Sequence, residues 1–239
     1  MNVRSQQFLE AFIAIEQHLA DISGLPRGAP FSQQVDTLRQ RSHAVRAYAE
    51  DLKAFARLRN VIVHERGGGQ VLAEPNQWAV KRIITIRDLL LRPPTVGRFT
   101  SKKVYSINAH ASLADATQLM ATQHFSQLPV YQNKQYRGIL SVRNVTYYLG
   151  SRQHTQIDLA SISVADVLEH AAQRDTAVFV AADTPLIDVL AYFATHNHHG
   201  SYLDAVLVTQ NGETHEPLLG LVAAADIPVI NQRLQLYSE

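Results

Sequence analysis

The sequence predicts an α+β chain, with an antiparallel helical bundle at the amino terminus and then a module in which short strands alternate with helices. Three observations predict it. Over the first 92 residues the apolar positions recur at helical spacing. After Gly97 the pattern changes to β-branched and aromatic runs, VYSI, LPVY, GILSV, TAVFVA, DAVLV and GLVAA, separated by short helical stretches. The second region also repeats itself, with Leu113 falling on Leu186, Asp115 on Asp188, Met120 on Phe193 and Gly138 on Gly220. Each copy reads helix, strand, hairpin turn, strand, helix.

The bundle is read helix by helix. Phe8, Phe12, Ile15 and Leu19 recur at spacings of four, three and four, while Arg4, Glu10, Glu16 and Gln17 fall elsewhere, which predicts an amphipathic helix over 3–22. Gly24, Pro26, Gly28 and Pro30 break it, and Ser32 is the expected N-cap of a helix from Gln33. The stretch 43–64 contains no Gly or Pro and sets Val45, Tyr48, Leu52, Phe55 and Ala56 on one side, and Gly67, Gly68 and Gly69 stop it. A fourth helix is expected from Pro75, at a first-turn position, through Trp78, Ile83, Ile86 and Leu90 to Leu91, where Pro93 and Pro94 end it. These boundaries divide the chain into a helical bundle over 1–92, a linker over 93–99, a first repeat over 100–150, and a second repeat with its preceding linker and carboxy-terminal tail over 151–239.

Composition narrows the function classes. The 239 residues are 46% apolar and 18% charged, which is globular composition. Cysteine is absent, so no disulfide, thiolate metal site or cysteine nucleophile can form, as suits a reducing compartment. The amino terminus lacks the pattern of a cleaved leader, and no segment approaches about 18 unbroken apolar residues. A soluble cytoplasmic protein with no membrane partner is the expectation. The net charge of +1 hides an asymmetry: residues 1–97 hold 13 Lys and Arg against 9 Asp and Glu, and 11 of the 13 are Arg. Guanidinium forks suit phosphates, so an anionic partner is expected at the first half.

In the duplicated region a strand, a helix starting near Ser112 or Pro185, an LPV-type strand, a hairpin and the run Gly-Ile-Leu-Ser-x-x-Asn follow one another. This order resembles the CBS motif, and the two copies from about Arg98 to Pro228 resemble a CBS pair, a regulatory module that binds an adenine nucleotide. The resemblance implies two small sheets joined around one core as a pseudo-twofold disk, often dimerised again. In that family the turn into the last helix carries Gly, two apolar residues, Ser or Thr, two variable residues, and Asp or Asn. The hydroxyl and the helix N-terminal N–H groups receive phosphate, and the acid or amide bonds ribose hydroxyls. The first copy matches with Gly138, Ser141 and Asn144; the second has Gly220 and Asp226, with Ala223 where the hydroxyl is expected. The resemblance further implies an adenine recess including Thr100, Tyr105, Phe125 and Ser126, and a second including Val178 and Asp226. Read as bare residues, Gly138 serves a turn and Ser141 and Asn144 cap a helix, so both roles stay open. AMP, ADP and ATP all remain as regulatory ligand.

The second informative stretch is Leu58-Arg59-Asn60-Val61-Ile62-Val63-His64-Glu65-Arg66. On a helix Asn60 and His64 share a face, whereas Arg59 lies about 140° from His64 around the axis and reaches the same edge only through its length. The motif and four-helix pattern resemble the HEPN superfamily, whose active members are metal-independent endoribonucleases that dimerise to bring two such motifs into one cleft. Carried over, Arg59, Asn60 and His64 become the catalytic candidates, with no cofactor required. His64 would move the proton to or from the 2′-hydroxyl or the leaving oxygen, Arg59 would stabilise charge on the phosphoryl oxygens, and Asn60 would orient the ring or hold the substrate. The implied product carries a 2′,3′-cyclic phosphate and a 5′-hydroxyl. Without the resemblance, His64 reads as a partner of the helix C-terminal dipole and Arg59 as an ion-pair residue for Glu65 or Asp51.

His196, His198 and His199 lack the i,i+4 geometry of helical metal ligands, and no carboxylate follows before Asp204, so no metal site is expected. No Walker-type loop, G-x-S-x-G elbow or glycine-rich dinucleotide fingerprint occurs, which excludes kinase, hydrolase and dehydrogenase classes built on them. Two functions remain. One is a homodimer, or higher even oligomer, that senses an adenine nucleotide and so controls RNA cleavage or binding by the bundle. The other is a non-catalytic regulatory protein whose inactive helical domain dimerises or docks on a partner.

Overall fold

The computed structural model of the chain describes residues 3–64, 66–67, 70–71, 73–100, 104–152, 156–171, 175–196 and 202–236. They divide into two units, one running to Pro94 and including the tail from Leu234, the other comprising Thr95–Arg233.

The first unit is built on helices α1 (Val3–Ser23), α2 (Phe31–Leu38), α3 (His43–His64) and α4 (Gln77–Leu91), with a two-residue hairpin, β1 (Arg66–Gly67) and β2 (Gln70–Val71), between the last two. The periodic residues of α1 are the ones buried, and Phe8 meets Phe55 of α3 edge-to-face at 5.6 Å. Two helix starts differ from expectation. Pro30, not Ser32, occupies the N-cap position of α2, because its φ of −57° presets the first turn and its carbonyl accepts from Gln34 N. At α4 the cap is Asn76, whose Oδ1 accepts from Ala79 N at 2.8 Å, leaving Pro75 outside the helix. In this helix Ala79, Val80, Ile83, Ile86 and Leu90 face inward and Trp78 is 55% exposed.

The bundle also contains chain from the far end of the sequence. Leu234 is 2% exposed, and Leu236 packs against the core of the bundle. The Tyr48 hydroxyl donates to the Leu234 carbonyl at 2.6 Å, and Arg82 donates to the Gln235 carbonyl at 2.8 Å. Burial pushes the Tyr48 phenol up to about 12, so it stays a donor. The tail was expected with the second repeat; residues 234–236 instead complete the first unit.

The second unit begins with α5 (Val96–Phe99), where a linker was expected. The first copy follows as β3 (Ile107–Asn108), α6 (Leu113–Gln123), β4 (Gln127–Gln132), β5 (Gln135–Ser141) and α7 (Val142–Ser151). After α8 (Val164–Ala171) the second copy runs β6 (Asp175–Ala181), α9 (Leu186–His196), β7 (Tyr202–Thr209), β8 (Gly220–Ala223), a 3₁₀ turn at Ala224–Asp226 and α10 (Ile227–Arg233). Each copy has a three-stranded sheet in which the first pair is parallel and the second antiparallel. The paired positions share one environment: Leu113 and Leu186 each open a helix with no exposure, and Met120 and Phe193 are both buried. Between the sheets, Ile139 packs with Ala205 and Leu207, and Tyr136 meets Phe179 edge-to-face at 4.9 Å.

The leading helices are exchanged. α5 precedes the first copy yet docks on the second: Val96 N donates to Thr184 O and Gly97 N to Ala182 O, both at 2.9 Å, and Thr95 bridges Pro185. α8 precedes the second copy and docks on the first in the same way, Val164 N on Ala111 O and Ala165 N on Ala109 O, both at 2.9 Å, with Ser163 bridging Ser112. Neither copy satisfies its own strand-to-helix turn, so separating them would strip both of backbone partners.

Candidate functional site

The turn from β5 into α7 follows from its residues. Ser141 ends the strand as N-cap: its hydroxyl accepts from Asn144 N at 3.1 Å and donates to Asn144 Oδ1 at 2.6 Å, while Ser141 N donates to the same oxygen at 2.7 Å. This reciprocal capping box leaves Ser141 4% and Asn144 2% exposed. Nearby, the Ser126 carbonyl accepts from Val142 N at 2.9 Å, and the Tyr105 and Phe125 rings stand 5.3 Å apart. The fold thus gathers Tyr105, Phe125, Ser126, Ser141 and Asn144 at one end of the first sheet. The side chains assigned to phosphate and ribose hold the helix end in this state.

Thr100 does not join them. It is buried, its hydroxyl donates to Val96 O at 3.0 Å, and it lies against Gly220 of β8, where a Cβ would overlap it. The counterpart over Gly138 is Leu168 of α8, whose methyls a Cβ there would meet at 3.5 and 3.6 Å. The helix exchange is the reason: a residue ahead of the first copy in sequence belongs to the second in space. In that second site Asp226 Oδ2 accepts from Ala223 N at 2.8 Å, repeating half of the capping box without a hydroxyl. Val178 lies in β6 across from Val206 and, beyond it, Val222.

Sequence reasoning missed the polar link between the copies. Arg143, in the first turn of α7, pairs with Asp204 of β7 at 2.7 Å, and Gln127 Nε2 donates to the Asp204 carbonyl at 3.1 Å. The Asp204 side chain is 8% exposed. An acid at the head of the apolar run Asp-Ala-Val-Leu-Val was the available signal. Arg143→Ala is expected to destabilise the second unit by about 1–3 kcal/mol, since it leaves a desolvated carboxylate behind; urea unfolding measures it.

In the first unit, Arg59 Nη1 donates to Asn60 Oδ1 at 3.3 Å, and the guanidinium stands 6.0 Å from the Phe12 ring centre. Both residues line a groove of about 400 Å³ between an apolar wall, Phe12 and Phe31, and the cations Lys53, Arg57 and Arg59, with Glu16 the single acid. Lys53 is held by Asp36 at 2.7 Å, which lowers the Asp36 carboxyl below its ordinary range through that bond. Asp51, proposed from sequence as a partner for Arg59, is engaged by Arg82 at 2.7 Å. His64 is the last residue of α3, and its side chain lies outside the described residues, as do His198, His199 and Glu65. Among the described residues no cluster of three or more His, Asp or Glu could hold a metal ion, and no helix is long and apolar enough to cross a membrane.

No curated protein matches the chain. Among solved structures it is similar to Hypoxic Response Protein I with two coordinated zinc ions, at 19% identity and TM-score 0.42, over 57% of this chain and 98% of that one. It is also similar to the CBS domain pair of protein MJ0100 in complex with 5′-methylthioadenosine and S-adenosyl-L-methionine, at 16% identity and TM-score 0.45, over 59% and 98%. A third is a putative acetoin utilization protein from Vibrio cholerae, at 20% identity and TM-score 0.44, over 62% and 98%. The CBS domain family model matches residues 96–151, from α5 through the Ser141–Asn144 turn to the end of α7.

Proposed function

We propose that the second unit binds an adenine nucleotide and that occupancy regulates the helical unit, a metal-independent endoribonuclease of HEPN type acting through Arg59, Asn60 and His64. The observation that carries the sensor reading is the strand-to-helix turn of the matched CBS domain, Gly138 to Asn144, and its repeat at Gly220 to Asp226. Both turns set an oxygen-bearing side chain against backbone N–H groups at the start of a helix, the kinds of group that receive a phosphorylated sugar once the cap opens to it. The second turn is the better ribose acceptor, because Asp226 is a carboxylate and only half-buried, whereas Asn144 is an amide enclosed in its own cap. Coupling requires the nucleotide to favour one arrangement of the protein over another.

Calorimetric titration with AMP, ADP, ATP, 5′-methylthioadenosine and S-adenosyl-L-methionine tests it. Asp226→Ala is expected to weaken binding about tenfold or more, by loss of charge-assisted bonds. Asn144→Ala should mainly lower stability, by about 1 kcal/mol from the lost cap. No heat with any of the five ligands sinks the sensor reading and leaves the second unit as a structural or dimerisation module.

A further inference from the structure

The tail that closes the bundle is the direct continuation of the helix that starts at the second candidate recess. Seven residues separate Asp226 from Leu234, and α10 fills that interval. α10 is anchored in the second unit by Ile230, which has no exposure. The tail is anchored in the first unit by four independent interactions. Leu234 is buried, the Tyr48 hydroxyl holds its carbonyl, Arg82 holds the carbonyl of Gln235, and Leu236 packs on the core.

The clasp is preorganised. Arg82 is fixed by two hydrogen bonds to Asp51 Oδ2, at 3.1 and 2.7 Å, and stands 5.7 Å from the Tyr48 ring centre. Tyr48 and Asp51 belong to α3, the helix that ends in Arg59, Asn60 and His64. A buried peptide segment clasped on the helix that bears the candidate catalytic residues, and fused to a helix of the other unit, links the folding free energies of the two units whatever their relative orientation.

We infer that residues 234–236 are a strap through which the state of α10, and hence of the recess beside Asp226, is read by α3. The ligand part of this inference rests on the nucleotide-binding reading; the linkage itself does not.

Hydrogen–deuterium exchange of the full chain, followed in peptides of 43–64 and 77–91, tests it. Ile230→Ala perturbs α10 inside the second unit. In the full chain it is expected to speed exchange of 43–64 about fivefold, and in a chain ending at Arg233 to add nothing to the rate already raised by losing the strap. Tyr48→Phe, which removes only the clasping hydroxyl, is expected to speed exchange of 43–64 about fivefold and to reduce the effect of Ile230→Ala; it serves in place of the truncation if the shortened chain does not fold. An Ile230→Ala effect on 43–64 of equal size with and without the strap, or absent from both, overturns the inference. A second arm adds AMP, ADP or ATP, with protection of 43–64 expected in the full chain and lost with the strap. If no nucleotide binds, the sensor reading fails and the Ile230→Ala comparison alone decides the strap; if nucleotide protects 43–64 without the strap, the inference fails while the sensor reading stands.

Discussion

If the helical unit is the proposed ribonuclease, His64→Ala is expected to lower RNA cleavage in the presence of EDTA about 10²- to 10⁴-fold, the range for removing a general acid or base. Arg59→Ala is expected to cost about 10²- to 10³-fold, as the loss of a charge-stabilising donor does. On the proposed reading, cleavage without a metal needs a proton-transferring group, the role assigned to His64, and a fixed cation at the phosphoryl oxygens, the role assigned to Arg59. Arg59 lies against Phe12 and is bonded to Asn60, and it lines a groove together with Lys53 and Arg57. The assay is incubation of purified protein with mixed RNA, with product ends identified as cyclic phosphate and 5′-hydroxyl. RNA left intact by the unaltered protein, or cleavage that survives both substitutions, removes the enzyme and leaves a helical domain that dimerises or docks on a partner.

Gly220→Ala is expected to destabilise the second unit by about 1–3 kcal/mol or more, the cost of overpacking a closed contact. The new methyl would overlap the hydroxyl and Cβ of Thr100, and Thr100 is buried with its hydroxyl committed to Val96 O, so it has little room to retreat. The control moves the glycine across the contact: Thr100→Gly combined with Gly220→Ala should recover much of the lost stability in urea unfolding, apart from the hydrogen bond to Val96 and the added backbone entropy of glycine. At Gly138 the same replacement meets only Leu168 methyls at ordinary contact distance, and its cost comes instead from the backbone, whose φ of 153° a side chain rarely adopts. Additive effects of Thr100→Gly and Gly220→Ala would show that α5 does not dock on the second copy.

The helices of the first unit were legible because an apolar stripe at helical spacing has one economical solution, burial against its neighbours. Phe8, Phe12, Ile15 and Leu19 fulfil it. The missed starts of α2 and α4 reflect close competition between adjacent cap residues, Pro30 against Ser32 and Asn76 against Pro75, which local propensity does not resolve. In the second unit, the pairing of Leu113 with Leu186 and of Met120 with Phe193 was visible because both copies bury the same positions.

Local sequence thus determined the four main helices of the first unit, the duplication, and which turns carry oxygen-bearing side chains at helix starts, because each depends on residues within a few positions of one another; α5, α8 and the β1–β2 hairpin were not legible in it. Only the tertiary structure decided that α5 and α8 trade places, that Thr100 sits by Gly220, that Arg143 reaches Asp204, and that the tail from Leu234 belongs with α3 and α4. Those contacts join residues tens to hundreds of positions apart. What selects them is the burial and hydrogen-bond satisfaction of the whole chain, which has no signature in any short stretch of it.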